Sequence, residues 1–547
     1  MKHLGFNPYL PFWETVPDGE PHVFDGRVYI FGSHDRLGGT VFCEGDYVGW
    51  SAPVDDLGNW RYEGEIYRKE QDPINGAPYV PDHRMKEASA SEAGTETAPG
   101  YGIPEYDHAF SGDDMHLLYA PDVAKGPDGR YYLYYALDFV NVISVAVCDT
   151  PAGKYEFLDY VRKADGTIPQ IGRWFDPAIL SEKSGNYLYY GFCPPVRFPG
   201  MEHLEIPGSM MIRLADDMHT IISEPKCVAN GCDTAKGTGY EAHPFFEASS
   251  IRRFGDWYYF VYSSLQGHEL CYGMAKTPEG PFEYKGVIVS NGDLGLNGNE
   301  LAVNYTGNNH GGLVQIKDKT YIFWHRQTHG TGFSRQGCAD EVQILGDGTI
   351  PQIAITSCGL NGGPLPAKGH YETYIACHLT EADRTKVGHV AEPGPEGGAI
   401  VIPEEWPYVS EEPIAAESAA AEESAAKENT AAVGNAAAEN KGMKPFVYNL
   451  RQGAIAGFKY FSFDGTENKM TLELRGSGSI EARLDTPEGT AVASAGTDTS
   501  KDTPYLEKPS SGGWKTVSAP LTATEGTHAL YFVVTEGRLD FASFEIL

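Results

Sequence analysis

The chain is poor in positive charge: 42 lysine and arginine residues face 75 acidic ones across 547 residues, a net charge of −33. That balance argues against nucleic acid and anionic membrane surfaces as partners and favours a neutral or cationic ligand. Apolar runs long enough to span a bilayer are missing. The N-terminal "MKHLGFNPYLPFWETVPDGEP" has neither the basic start nor the uninterrupted apolar core of a secretory signal. The expected location is cytoplasmic for the sequence as written, or secreted if a signal has been removed. Cysteine is sparse: nine residues, at 43, 148, 193, 227, 232, 271, 338, 358 and 377, form no paired Cys-x-x-Cys motifs, so reduced and mostly buried thiols are expected rather than a zinc site.

What the chain has in quantity is aromatic side chains, and they recur in one phrase. It reads "DGRVYIFGSHD" at 25–35, "DGRYYLYYALD" at 128–138, "SGNYLYYGF" at 184–192, "GDWYYFVYSS" at 255–264 and "KDKTYIFWHRQ" at 317–327. Each is a turn signal followed by β-branched and aromatic residues, the signature of a hairpin feeding a buried strand. The lead tyrosines, Tyr29, Tyr132, Tyr187, Tyr259 and Tyr321, lie 103, 55, 72 and 62 residues apart, which is too irregular for a solenoid but leaves room for four short strands per unit plus loops. The pattern predicts an all-β chain with five blades around an axis, the first strand of each lining the channel.

Counting back from each lead tyrosine gives a polar residue every time: Asp18 at eleven residues, Asp122 at ten, Asp176 at eleven, Glu247 at twelve and His310 at eleven. If each tyrosine lies on the second strand of its blade, that step places all five polar residues on or near the innermost strands, facing one axis. A single Asp ahead of a hairpin is most simply a turn cap, and a single His a satisfied core residue. Four carboxyl groups converging on one channel must repel unless they have separate tasks or a cation between them. Paired carboxyls are the apparatus of glycosidic hydrolysis, one protonating the leaving oxygen while another, ionised, activates water or attacks the sugar. The acid should be the more desolvated member, and Glu247, flanked by Phe245, Phe246 and Ala248, has the most apolar neighbours.

These residues resemble glycoside hydrolase family 43, five-bladed propeller enzymes acting on arabinose- and xylose-containing glycans. The resemblance covers about residues 6 to 360 and rests on "NPYLP" with Asp18 before "HVFDGRVYIFGSHD", on "YAPDVAKGPDGRYYLYY", on "FFEASSIRRFGDWYYFVYSS" and on "NNHGGLVQIKDKTYIFWHR". Carried over by position, it implies Asp18 as general base, Asp122 as the aspartate that tunes and orients the acid, and Glu247 as general acid. It implies His310 as the axial histidine that in many members sits near a calcium ion or other central cation. The resemblance implies no required cofactor, with a structural calcium ion in the channel as an optional addition. Two departures stand out. The usual Asp-Pro after the first strand is "PDGEP" here, so Glu20 rivals Asp18 for the base, and the usual Trp before Ala-Pro-Asp is Tyr119. Sugar faces stack on rings and sugar hydroxyls need fixed partners, so Trp174, Asp176, Arg326 and Arg335 are the expected substrate-binding residues. An arginine beside the base would also keep Asp18 ionised.

The domain division expected is a propeller over 1–365 and a β-sandwich over 366–547, with 411–443 a low-complexity alanine- and glutamate-rich linker or insertion. Residues 415–441 hold twelve alanines in 27 positions and almost no large apolar side chain, so they build no core. Beyond them, alternating apolar and polar residues with glycine-rich turns read as a β-sandwich resembling the family 6 carbohydrate-binding jelly roll. The polar segment 86–114 reads as a loop that could rim the pocket. The expected activity is an inverting exo-glycosidase releasing L-arabinofuranose from oligosaccharides derived from plant arabinoxylan or arabinan. A β-D-xylosidase is the nearest alternative; an endo-arabinanase and a non-catalytic sugar-binding propeller stand further off. The sequence leaves oligomeric state open.

Overall fold

The computed structural model describes residues 3–39, 41–76, 115–138, 140–197, 204–386, 406–414, 442–498 and 513–547. The loop expected at 86–114 and the alanine-rich stretch 415–441 lie outside the described residues.

Five antiparallel sheets form the blades of a propeller. Blade one runs through Glu20–Phe24, Arg27–Phe31, Tyr47–Pro53 and Arg61–Tyr67, and blade two through Leu118–Lys125, Tyr131–Leu137, Ile143–Cys148 and Glu156–Tyr160. Blade three is built on Ala178–Glu182, Gly185–Tyr190, Gly208–Leu214 and Lys226–Asn230. Blade four has Phe245–Phe254, Trp257–Ser264, Glu269–Ala275 and Glu283–Ser290, and blade five only Leu313–Ile316, Lys319–Gln327 and Arg335–Val342. Every lead tyrosine lies on the second strand of its blade. All five point into the apolar layer shared with the next blade: Tyr29 between blades one and two, Tyr132 between two and three, Tyr187 between three and four, Tyr259 between four and five, and Tyr321 between five and one. The repeated aromatic phrase is thus the packing code of the ring, since large flat side chains bury the most apolar area per strand position.

Blade five, with three strands among the described residues, is flanked by the N-terminal segment. The Tyr9 amide donates to Gly337 O (3.1 Å), and the Asn7 side chain donates to Ala339 O (3.0 Å) and Asp340 Oδ2 (3.1 Å). A side chain at Gly337 would overlap the Tyr9 ring. The "NPYLP" phrase therefore ties the start of the chain to the last blade.

The remaining strands fold around a second apolar core containing Phe458, Phe461, Phe532, Phe541 and Phe544. Two long strands, Lys469–Leu484 and Glu525–Ile546, pair along most of their length, and the other strands of the unit pair with them directly or through Ile455–Asp464 and Met443–Arg451. Leu365–Pro366 already pairs with Phe461 and Ser462, and Tyr408–Pro413 pairs with Met443–Arg451, Pro413 opposite Met443. Residues 411–413 and 443 are therefore strand, and 415–441 connects two paired strands of one sheet.

Candidate active site

The register of the inner hairpins sorts the axial residues into two levels. Opposite the lead tyrosines stand His22, Ala124, Leu180, Arg252 and Val314. Asp18, Asp176 and His310 precede these partners by four residues. Glu247 precedes its partner by five, but a bulge between Glu247 and Ser250 absorbs the extra residue and brings it level. Blade two has the same bulge between Tyr119 and Asp122, so the residue level with Asp18, Asp176, Glu247 and His310 is Tyr119. Asp122 lies only two residues before its partner, on the lower level with Glu20, Ala178, Ser250 and Gly312.

The upper level is held by strained backbone. Asp18 and Asp176 take left-handed conformations (φ 57° and 45°) just before their inner strands, and Ala248 does so beside Glu247 (φ 65°). Such angles are uncommon outside glycine and gather at functional sites. Asp18 is buried. Its amide donates to His325 Nδ1 (3.1 Å), whose Nε2 donates to Asn308 O (2.9 Å), and its Oδ1 accepts from Arg335 Nη1 (3.0 Å). Burial would raise its pKa, but Arg335, with contributions from His325, His310 and Ser33, outweighs burial and brings it down to about 2. Burial lowers His325 to about 3 and His310 to about 4, so both imidazoles are neutral at pH 7 and Arg335 is the lasting positive charge on Asp18.

Glu247 goes the other way. Half-buried on its strand, it is raised to about 8 by burial first and then by the negative charge of Asp18, with Arg335 opposing. Asp176 is raised by burial, then by Glu247 and Asp18, while the Ala248 amide donates to its Oδ2 (2.8 Å) and favours the charged form. Asp176 is thus bonded to the residue that follows Glu247. His310 lies between the carboxyls, Nδ1 3.9 Å from Asp18 Oδ1 and 3.8 Å from Asp176 Oδ2.

The lower level is a hydrogen-bonded network of charged and polar side chains. Arg252 donates to Glu20 Oε2 (2.7 Å) and Pro21 O (2.9 Å), and Ser250 donates to Glu20 Oε2 (3.1 Å). Asp122 takes His22 Nε2 (2.6 Å) and the amides of Val123 (2.7 Å) and Ile179 (2.8 Å). Asp122 is thus engaged by His22 and by blade three and is not among the groups that shift Glu247, contrary to the role expected for it from the sequence; the carboxyl bonded beside Glu247, through the Ala248 amide, is Asp176. The Glu20 rivalry ends the same way, with Glu20 paired to Arg252 below the level of Asp18.

Glu20, His22 and Asp122 offer atoms close enough for one cation, but the Arg252 guanidinium already lies against Glu20 and His22. Between the levels, Glu20 Oε1 and His310 Nε2 are buried without partners among the described residues, 4.0 Å apart. One carboxylate oxygen and one imidazole nitrogen do not fit calcium, which takes six to eight oxygens.

The expected substrate-binding residues divide. Arg335 belongs to the site through Asp18. Trp174 does not: it is fully buried, stacked on Tyr190 (4.1 Å between centroids), with its Nε1 donating to Pro169 O (3.0 Å). Arg326 does not either, since its Nη1 donates to Ala376 O (2.7 Å) at the junction with the second unit. Sequence reasoning missed a chain of half-buried rings beside the upper level: Tyr119 on Phe175 (5.3 Å), Phe175 on Phe192 (5.5 Å) and Phe192 on Phe246 (5.2 Å). Phe175 and Phe246 each immediately precede a carboxyl residue, which was the available signal.

Comparison with known proteins bears on this arrangement. Residues 103–350 match the family described as glycosyl hydrolases family 43. A protein of Thermoclostridium stercorarium named xylosidase/arabinosidase is 42% identical over 559 residues, covering 100% of this chain and 99% of its own, so the similarity extends through Asp18. A β-xylosidase of Xylanibacter ruminicola is 30% identical over 57% of this chain and 88% of its own. An arabinoxylan arabinofuranohydrolase of Paenibacillus polymyxa is 25% identical over 94% of this chain and 69% of its own.

Proposed function

Because the chain belongs to glycosyl hydrolase family 43 and is a glycoside hydrolase, we propose that Asp18, Glu247 and Asp176 carry out a single-displacement, inverting hydrolysis at the end of a plant-type oligosaccharide. The observation that carries this reading is the convergence of three carboxyls on one level of the channel, of which Asp18 is the one that accepts a hydrogen bond from Arg335. Asp18, ionised at neutral pH, takes a proton from water as its oxygen attacks the anomeric carbon. The bond to the leaving oxygen breaks, and Glu247 gives that oxygen its proton. Between about 2 and about 8 the base is charged and the acid is protonated. Asp176 orients the Glu247 segment through the Ala248 amide, while burial and the charge of Asp18 oppose ionisation of the acid. The ring chain from Tyr119 to Phe246 gives a sugar an apolar face to lie on.

The leading substrate is an α-L-arabinofuranosyl group on arabinoxylan- or arabinan-derived oligosaccharides. The name borne by the relative that is 42% identical over its whole length supports β-D-xylosidase as the second reading. Hydrolysis of p-nitrophenyl α-L-arabinofuranoside and β-D-xylopyranoside by the wild type and by Glu247→Gln tests both, with the product anomer followed by NMR. The reading expects turnover of at least one substrate, an inverted first-formed sugar and a large loss in the variant on unactivated oligosaccharides. A retained anomer, or a variant as active as the wild type, overturns it.

A further inference from the structure

Asp35 closes the phrase "GSHD", beyond the second strand of blade one, and belongs to neither level of the channel. It is 2% exposed, and its contacts define what Arg335 can do. Asp35 Oδ2 accepts from Arg335 Nε (2.8 Å) and from the Arg335 amide (3.1 Å), and Oδ1 accepts from Nη2 (2.9 Å) and from the Cys43 amide (2.9 Å). The Nε–Nη2 edge of the guanidinium is therefore occupied, and only Nη1 reaches Asp18. Phe42 packs on the guanidinium from the side (4.6 Å to the ring centroid) and on Phe333 (4.6 Å), while the Gly38 amide donates to Ser334 Oγ (2.9 Å). The blade-one loop thus docks against the segment of blade five that presents Arg335.

We propose that Asp35 is a positioning residue for the hydrolysis, occupying one edge of Arg335 so that the arginine gives Asp18 a single hydrogen bond and a balanced charge. The proposal rests on the reading of Asp18 as base. Without Asp35, a planar fork that prefers two-pronged carboxylate contacts is free to turn both prongs onto Asp18, making it a weaker base. The field of Arg335 then also falls uncompensated on Glu247. The other groups facing this cluster are the thiol of Cys43 and the phenols of Tyr47 and Tyr119, which burial keeps neutral, and His310 and His325, also neutral. His34, raised by its bond to Glu14, faces Asp35, and Asp176 faces Glu247.

The test is Asp35→Asn, assayed for kcat, KM and the pH profile of kcat/KM on the better aryl glycoside, with thermal melting to establish that it folds. The expected result is a kcat at least about tenfold lower, the scale of a compromised general base, with KM little changed. The basic limb set by Glu247 moves to lower pH, because a positive field favours the carboxylate. A folded variant with wild-type kcat, or with the limb unmoved, overturns the proposal. If Asp35→Asn fails to fold, Asp35→Glu keeps the charge at a different reach: the limb stays in place while kcat falls, and a wild-type kcat there overturns the positional claim. Asp18→Asn in the same assay separates the two readings, since retained activity in that variant removes the base assignment itself.

Discussion

Asp122 and Asp176 are both buried aspartates on the channel axis, yet their partners give them opposite consequences. Asp122 is held below the usual carboxylate range because His22 and Arg252, with the Ile179 amide, outweigh burial. Asp176 is pushed above it because burial is reinforced by Glu247 and Asp18. A depressed folded pKa stabilises the fold above the unfolded value and loses that contribution as pH falls through the folded one. Asp122→Asn should therefore lower stability by about 1.5–3 kcal/mol at neutral pH, the range for hydrogen bonds to charged groups, and flatten the acid side of the stability curve. Urea unfolding at several pH values measures this. Asp176→Asn should cut kcat/KM by more than about tenfold with a smaller change in melting temperature. The reverse pattern, activity lost at Asp122 and stability lost at Asp176, would contradict the two-level assignment.

The inner strands decide which residues reach each level, and their local geometry is tight. Gly312 stands on the lower level of blade five, where a Cβ would sit 2.6 Å from Glu20 Oε2. Gly312→Ala should destabilise by about 1–3 kcal/mol through overpacking, with the loss visible in chemical denaturation. At this scale much was legible from the chain alone. The five turn-plus-aromatic phrases located the second strand of every blade, and the step back from each tyrosine located the channel. Asp122 was given the tuning role by the family resemblance, and its step of ten did not reveal its level, which depends on the length of the turn and on a bulge that residue types do not announce. Glu247, at twelve, is brought level by such a bulge. Arg335 was named as a substrate-binding candidate and turns out to hold Asp18, whereas Trp174 is taken up by stacking within blade three and Arg326 by a carbonyl at the junction with the second unit.

The whole molecule behaves as a ring buttressed at its last blade. Besides Arg326, the second unit reaches the propeller through Lys459 Nζ on Asp293 Oδ2 (2.8 Å), through the Ser357 amide on Lys459 O (2.6 Å) and through the Leu379 amide on Val303 O (2.8 Å). The Lys459–Asp293 pair is buried, so Lys459→Met leaves a charge without its partner and should cost about 3–5 kcal/mol, read as a lower melting temperature. The central claim of the proposed mechanism is that the channel keeps Asp18 and Glu247 in opposite protonation states at neutral pH. The most direct measurement is the pH dependence of kcat/KM on a neutral aryl glycoside, which reports the free enzyme. The account predicts a basic limb near about 8 that disappears from the residual activity of Glu247→Gln, with no acid limb until well below the ordinary carboxylate range. A basic limb that persists unchanged in Glu247→Gln would contradict it.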